Sequence, residues 1–294
     1  MNAGSPTCGS FVVFGCRGFL GNVLMAARPE AIGIDSAIGR NPARLRDVLR
    51  EARDDAIVIH AAGNVAALGP PSEEAYAGST CRLFEAVAEV RPQATIITLG
   101  SIVEVLPIDS SYAEIKRRQA AIARHESERR GVRWRHLRLH NLIGPGAPET
   151  LAPAALATRL RRAIAAGHTR LEVVDGDAVR DWLDVRDAAR MVLALAERRA
   201  GGDGDEPIEV CSGVGRSVRS MAEALVAAAG ASVDVVEATD GAGSDRSPAV
   251  RSVVGDPRRL RDLIGEEASP RLSFEQAISD LWRARGIEGS DAVS

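Results

Sequence analysis

Cysteine is scarce in this chain and dispersed where it occurs: Cys8, Cys16, Cys81 and Cys211 stand far apart among 294 residues. No Cys-x-x-Cys pair or Cys/His cluster is present, so nothing points to zinc or any other metal, and the spacing gives no disulfide framework of a small secreted domain. Long apolar runs are missing as well. Nothing approaches the ~20 consecutive apolar residues a membrane span requires, and Met1 to Ser10 is small and polar, without the apolar stretch of a signal peptide. These absences predict a reduced, cytoplasmic protein with no membrane attachment. An excess of one charge is absent too: 37 Lys and Arg face 40 Asp and Glu, for a net charge of -3. Bulk electrostatics therefore draw neither nucleic acid nor an anionic membrane. A local basic pocket for a phosphorylated small molecule stays compatible with that balance. We find no internal repeat.

What is present is a rhythm. Hydrophobic residues make up 45% of the chain, and short apolar runs alternate with helical patterns, the signature of a parallel sheet covered on both faces. Strands are predicted at Phe11 to Phe14, Ala31 to Ile34, Ala56 to His60, Ala94 to Leu99, Trp134 to Leu139 and Ile208 to Cys211. Helices are predicted at Asn22 to Ala27, Pro42 to Arg53, Ser72 (as cap) to about Val90, Ser111 to just before Gly131, Ala154 to Ala166, Val185 to Glu197, Val218 to Ala229 and Phe274 to Arg285. Pro145, Pro148 and Pro153 mark an irregular connection, and Gly241 to Ser247 reads as a flexible loop. The expected fold is α/β: a doubly wound parallel sheet with a smaller C-terminal substrate-binding lobe. Residues 1–145 form the first lobe, with 178–212 returning to it. Residues 146–177 and 213–285 form the second, and 286–294 form a disordered tail.

The first chemical signal is Gly15-x-x-Gly18-x-x-Gly21, which leaves a strand and opens a helix. The glycines let the backbone turn tightly and approach a pyrophosphate, and the helix N-terminus adds partial positive charge. Phe19 and Leu20 lie within the same turn. Asp35 ends the second strand, about where an acidic residue takes the ribose hydroxyls of a dinucleotide; its charge repels a 2′-phosphate, which favours NAD over NADP, although Arg40 lies close by. His60-Ala61-Ala62-Gly63 leaves the next strand with small residues, allowing a cofactor close over the backbone at Ala61, Ala62 and Gly63. His60 itself reads as packed against the sheet.

The second signal is Tyr112 and Lys116, spaced i, i+4 on one helix face, with Ser101 upstream. A fixed ammonium stabilises a phenolate, so Tyr112 is suited to exchange a proton near neutral pH, as hydride chemistry at a carbonyl or alcohol requires. The bland alternatives are a strand-end serine satisfied by backbone and a lysine on a solvated face.

Together these residues resemble the extended short-chain dehydrogenase/reductases, in particular the NAD-dependent epimerase/dehydratase group acting on nucleotide sugars, with its Rossmann fold. Phe11 to Gly21 resembles the family's first strand and glycine turn, and Ile57 to Gly63 its fourth strand and the turn after it. Ser101, Tyr112 and Lys116 fall where its catalytic residues belong. Arg138-x-x-Asn141-x-x-Gly144-Pro145 is similar to a longer and more specific family segment, and Arg180-Asp181-Trp182 with Asp184-Val185 and Asp187 to another. The resemblance implies that Tyr112 exchanges the substrate proton and Ser101 bonds the same oxygen. It implies that Lys116 holds the nicotinamide ribose, that Asn141 touches substrate or shapes its site, and that the helices beginning at Ser72 and Ser111 form a homodimer.

The sequence departs from the pattern between Ser101 and Tyr112, where a short segment with Glu104-Val105-Leu106 replaces the usual longer loop with Val-Tyr-Gly, and at Tyr76, where the family often has Asn. The sugar dehydratases of the family carry Asp and Glu directly after the Ser/Thr. Here Ile102 and Val103 occupy those places, and Glu104, on a strand end, is expected to point away. That leaves a ketoreductase of nucleotide-linked sugars as the favoured reading, an epimerase with tightly bound NAD as the second, and a non-catalytic dinucleotide sensor as the third. Arg251, with Arg161 or Arg162, is a candidate for a substrate pyrophosphate. Trp182 reads as packing, and Arg117, Arg118, Arg124, Arg129 and Arg130 as a solvated helix face.

Overall fold

The structure, a computed structural model, describes residues 9–62, 70–198, 206–238 and 250–288, with backbone alone at 36, 70–76 and 286–288. Gly63, the side chain of Tyr76 and the loop expected at Gly241 to Ser247 therefore lie outside the described residues. The chain forms two compact units, 1–139 with 189–209, and 140–188 with 210–294.

In the first unit β1 (Phe11–Phe14) leads into α1 (Phe19–Ala27), β2 (Ile32–Ile34), α2 (Ser36–Arg40), α3 (Pro42–Glu51), β3 (Ile57–His60), α4 (Pro70–Val90), β4 (Thr95–Ser101), α5 (Ser111–Arg130) and β5 (Arg133–Leu139). With β9 (Ile208–Val210) these strands form one six-stranded sheet in the order β2-β1-β3-β4-β5-β9. The ladders from β2 to β5 are parallel. All four residues of β1 and of β3 are buried, as expected of strands covered on both faces. Val12, Phe14, Ile34, Val58 and Ile96 share one core with Leu45 and Leu49 of α3, Leu83, Phe84 and Val87 of α4, and Ala123 of α5. The strand order reverses between β1 and β3, which makes the carboxyl ends of these two strands the place where a ligand fits an open sheet.

The structure corrects several expected boundaries. Helix α1 starts at Phe19 rather than Asn22, because Gly18 is extended (φ -75°, ψ 170°) and serves as the N-cap. Helix α4 starts at Pro70, so Ser72 lies inside it rather than capping it; proline is tolerated there because first-turn N–H groups have no helical acceptor. Strand β3, likened above to a fourth strand, is the third in the chain.

The second unit contains β6 (Asn141–Ile143), α6 (Ala152–Ala165), β7 (Arg170–Val173), β8 (Val179–Asp184), β10 (Gly215–Ser217), α8 (Val218–Ala229), β11 (Asp234–Glu237), β12 (Ser252–Val253), α9 (Arg258–Ile264) and α10 (Phe274–Glu288). Between β8 and β9 runs α7 (Val185–Glu197). Strand β8 pairs with β10, β12 and β6, while β11 pairs with β7. None of these strands was foreseen: they are two to six residues long, and several carry Arg or Asp, which hides the period-2 pattern. Among the described residues no helix is long and apolar enough to cross a membrane.

Candidate functional site

The site is built at the carboxyl ends of β1, β3 and β4 and on one face of α5. After β1 the N–H of Gly15 donates to Ile34 O at 2.7 Å, and the N–H of Gly18 returns to Gly15 O at 3.0 Å, closing the turn. Gly15 has φ +93°, and a Cβ there would meet the backbone N of Ala62 at 2.6 Å. A Cβ on Gly21 would meet Gly15 O at 2.1 Å. No side chain larger than hydrogen is therefore compatible with either position. The first intrahelical bond of α1 is Asn22 N–H to Gly18 O at 2.8 Å, and Gly18 provides no side-chain cap. The N–H groups of Phe19, Leu20 and Gly21 thus point out of the helix end as donors for an anion. Leu20 is buried beneath the turn, and the Ala61 N–H donates to Phe14 O at 2.8 Å, holding Ala61 and Ala62 against it.

Helix α5 opens on Ser110, whose hydroxyl accepts the Ala113 N–H, and closes on Gly131 in the left-handed region. Tyr112 is half-buried one turn before Lys116, and Lys116 is 8% exposed. The solvated-lysine alternative does not hold. The Lys116 ammonium donates to Gln119 Oε1 at 3.3 Å, and the Gln119 amide donates onward to Ala62 O at 3.5 Å. This chain ties the Tyr112/Lys116 face to the backbone beside the glycine turn. Gln119 escaped the sequence reading, although its i+3 spacing from Lys116 places it on the same face. Burial lowers the Lys116 pKa, and the Glu104 carboxylate acts against that shift. His60 is buried against Phe14, with ring centroids 4.9 Å apart; burial and the Lys116 charge bring it down to about 4.

Ser101 ends β4 and caps a single 3-10 turn, Ile102–Glu104. Its hydroxyl accepts the Val103 N–H at 3.4 Å. Glu104 does not point away: its side chain is 3% exposed, accepts the Ser101 N–H at 2.9 Å, and meets His136 Nε2 at 2.8 Å and Arg138 Nε at 3.2 Å. The capping-box spacing Ser-x-x-Glu carried this information in the sequence. Arg117, expected on a solvated face, donates to the carbonyls of Glu104, Leu106 and Ile108 and so fixes the loop to α5. Arg129 and Arg130 hold Glu126, and Arg124 lies over Trp134.

Asp35 caps α2 through Oδ1, which accepts the N–H groups of Ala37 and Ile38 at 2.9 and 3.0 Å. Its second oxygen lies 3.3 Å from Arg17, itself 82% exposed. The Ile38 N–H above all, then that of Ala37 and the charge of Arg17, hold Asp35 below the ordinary carboxylate range despite some desolvation.

In the second unit Asn141 opens β6 and donates to Asp181 O at 3.3 Å. Arg251 is exposed, and its carbonyl accepts the Val179 N–H at 2.7 Å. Arg161 stacks on Trp282 at 3.9 Å and donates to the Trp282 carbonyl. Trp182 is buried, its indole N–H donating to Arg216 O at 3.3 Å.

Comparison with known proteins places these features in context. The family model described as "NAD dependent epimerase/dehydratase family" matches residues 11–211. The dTDP-6-deoxy-L-talose 4-dehydrogenase (NAD(P)(+)) of Kitasatospora kifunensis is 28% identical over 93% of this chain and 94% of its own length. The GDP-6-deoxy-D-mannose reductase of Pseudomonas aeruginosa is 33% identical over 52% of this chain and 49% of its own. Among solved structures, RMD from Pseudomonas aeruginosa in complex with NADPH superposes with a TM-score of 0.78 at 25% identity, covering 95% of this chain and 99% of that one.

Proposed function

The chain belongs to the NAD-dependent epimerase/dehydratase family, and from that premise we propose that it is an NAD(P)-dependent oxidoreductase that reduces a keto group on a nucleotide-linked sugar. The observation that carries this reading is the buried Lys116 ammonium on the Tyr112 face of α5, linked through Gln119 to Ala62 beside the glycine turn. The dinucleotide fits the cradle: Gly15 and Gly21 leave room only for hydrogen, and α1 presents its first N–H groups without a side-chain cap. Gly15, Gly18, Phe19, Leu20, Gly21, Ala61, Ala62 and Gly63 would hold it, with Asp35 at the adenosine ribose. When bound it supplies a hydride to the carbonyl carbon. Tyr112 gives its phenolic proton to the carbonyl oxygen, Ser101 donates a hydrogen bond to that oxygen, and the Lys116 charge stabilises the phenolate left behind. The product is an alcohol, and in reverse Tyr112 accepts the proton.

Arg17 beside Asp35 leaves room for either NAD or NADP, in keeping with the cofactors of the talose dehydrogenase and of RMD. Asn141 and Arg251 are assigned to the sugar nucleotide, the second unit to substrate binding, α4 and α5 to a homodimer, and the protein to the cytoplasm. The test is purified protein with dTDP-6-deoxy-L-talose or GDP-6-deoxy-D-mannose and NAD or NADP, read as absorbance near ~340 nm. Absorbance should rise with at least one pair, and Tyr112→Phe should lower that rate by about 10²-fold or more while leaving dinucleotide binding. Full activity of that variant overturns the assignment. Isomerisation of a sugar without net change in reduced cofactor establishes the epimerase instead.

A further inference from the structure

The Glu104 carboxylate belongs to neither the cofactor cradle nor the Ser101, Tyr112 and Lys116 group, yet it bonds the first of these residues and its charge acts on the last. One oxygen accepts the Ser101 N–H at 2.9 Å; the other meets His136 Nε2 at 2.8 Å and Arg138 Nε at 3.2 Å. Behind it the arrangement continues through buried groups, with Thr98 Oγ1 2.8 Å from His136 Nδ1 and receiving the Trp134 indole N–H at 2.8 Å. His136 thus bridges the two residues, with Nε2 toward Glu104 and Nδ1 toward the Thr98 hydroxyl, which also lies 3.4 Å from Arg135 O. Space has been kept for this pairing: a Cβ on Gly100 would meet Glu104 Oε1 at 2.1 Å and His136 Nε2 at 2.5 Å. The turn carrying Glu104 packs on α5 and is fastened there by Arg117, next in sequence to Lys116.

We propose that Glu104 is a positioning residue that fixes Ser101 at the end of β4 and supplies the negative charge that keeps a buried ammonium at Lys116. The inference rests on the catalytic reading of Ser101, Tyr112 and Lys116 given above. If a cap for the turn were all that was required, a neutral side chain would meet the need without burying a charge. Glu104 is met by His136 and Arg138 from β5; the charge of Lys116 is coupled to Glu104 and to His60 of β3, and on its own helix Lys116 bonds Gln119 and lies one turn from Tyr112. Burial raises the Glu104 carboxyl, but His136, the Ser101 N–H and Arg138 together outweigh it, so the carboxyl stays ionised. Removing a negative charge weakens proton binding throughout the cluster. Reduction requires Tyr112 protonated and Lys116 charged, so the limb on which the rate falls as pH rises must move to lower pH when Glu104 is neutralised.

The test is the pH profile of kcat for keto-sugar reduction in Glu104→Gln, Glu104→Asp and Tyr112→Phe. In Glu104→Gln we expect kcat to fall about tenfold with the cofactor KM changed less than about threefold, and the alkaline limb to move down by at least about half a pH unit. In Glu104→Asp, which keeps the charge and shortens the reach, kcat should fall while the limb stays. A limb unmoved in Glu104→Gln, with Tyr112→Phe inactive, overturns the role of Glu104 alone. Full activity in Tyr112→Phe overturns the catalytic reading on which it rests. If Glu104→Gln does not fold, the double variant E104Q/R138M, which also removes the cation left facing the neutralised site, is measured against R138M alone, so that the movement of the limb reports the carboxylate and not the guanidinium. Failure of both to fold assigns Glu104 to stability alone and overturns the proposal.

Discussion

Glu104 and Asp181 are both buried carboxylates, one in each compact unit, and their partners differ in kind. Glu104 is met by an imidazole, a guanidinium and a backbone N–H, with an ammonium acting on it from α5. Asp181 is wholly buried and met by neutral donors: Oδ1 accepts the Ser212 N–H at 2.9 Å and its hydroxyl at 2.7 Å, and Oδ2 accepts the N–H groups of Gly213 at 2.8 Å and Gly255 at 3.3 Å. The first arrangement changes when any neighbour changes its proton. The second is a fixed socket that draws the 212–213 turn and the segment at Gly255 onto β8. Asp187 likewise accepts backbone N–H groups, those of Arg271 and Leu272, both at 2.9 Å. The buried carboxylate at Glu104 is thus surrounded by ionisable partners, whereas Asp181 holds loops in place through neutral donors.

The most damaging way to break this contrast is Asp181→Asn. An amide accepts at only one of its terminal atoms, so two of the four donors would face an NH2 group. At roughly 1–3 kcal/mol for each buried donor left unsatisfied, the loss is about 3 kcal/mol, read as a lower midpoint in urea. A change below about 1 kcal/mol would mean that the socket is not what holds these loops.

His60 sharpens the other side. Its folded pKa of about 4 lies below the ordinary 6.5, so between those values the unfolded chain holds a proton that the folded chain does not. Stability is full above pH 6.5 and declines as pH falls toward 4. The difference of about 2.5 pH units, at ~1.4 kcal/mol each, is about 3 kcal/mol at most and roughly 2 allowing for the spread of such shifts. Glu104, with its pKa lowered, also loses stability in acid, so the contribution of His60 is read as a difference. Unfolding free energies of the wild type and His60→Gln should converge as pH falls from 7 toward 4. Parallel curves would refute the assignment.

Much of the first unit was legible because its elements are locally consistent. Buried four-residue strands, a glycine turn and a helix bounded by Ser110 and Gly131 each announce themselves in a few residues. The Tyr112/Lys116 face was legible for the same reason. What was hidden depended on contacts distant in sequence. His136 carries no signal of its own, since only the pairing of β4 with β5 brings it to Thr98 and Glu104. Glu104 was misjudged because β4 was read as continuing extended, whereas Ser101 caps a 3-10 turn that swings the carboxylate inward. In the second unit, strands of two to six residues carrying Arg180, Asp181 and Arg216 show no alternation a sequence reading can use.

Gly100→Ala probes the first carboxylate from its backbone side. The added methyl would fall on Glu104 Oε1 and His136 Nε2, and displacing a packed pair in this way costs about 1–3 kcal/mol. The expected result is a Tm a few degrees lower with a fall in kcat larger than any change in cofactor KM. Unchanged kcat beside a lowered Tm would separate the Glu104 network from catalysis.

The smallest effect concerns a carboxylate that is not buried. Asp35 is engaged by two N–H groups of α2 through one oxygen and by the exposed Arg17 through the other. A surface pair of this kind adds little to stability, so Arg17→Ala should leave the urea midpoint unchanged. Its effect should appear only with a ligand whose charge competes for the guanidinium. A 2′-phosphate next to Asp35 depends on Arg17 to offset the carboxylate, whereas a ribose 2′-hydroxyl does not. Arg17→Ala should therefore raise the Kd for NADP about three- to tenfold while changing that for NAD less than about twofold, measured by calorimetry without substrate. Equal changes for the two dinucleotides would remove Arg17 from cofactor choice.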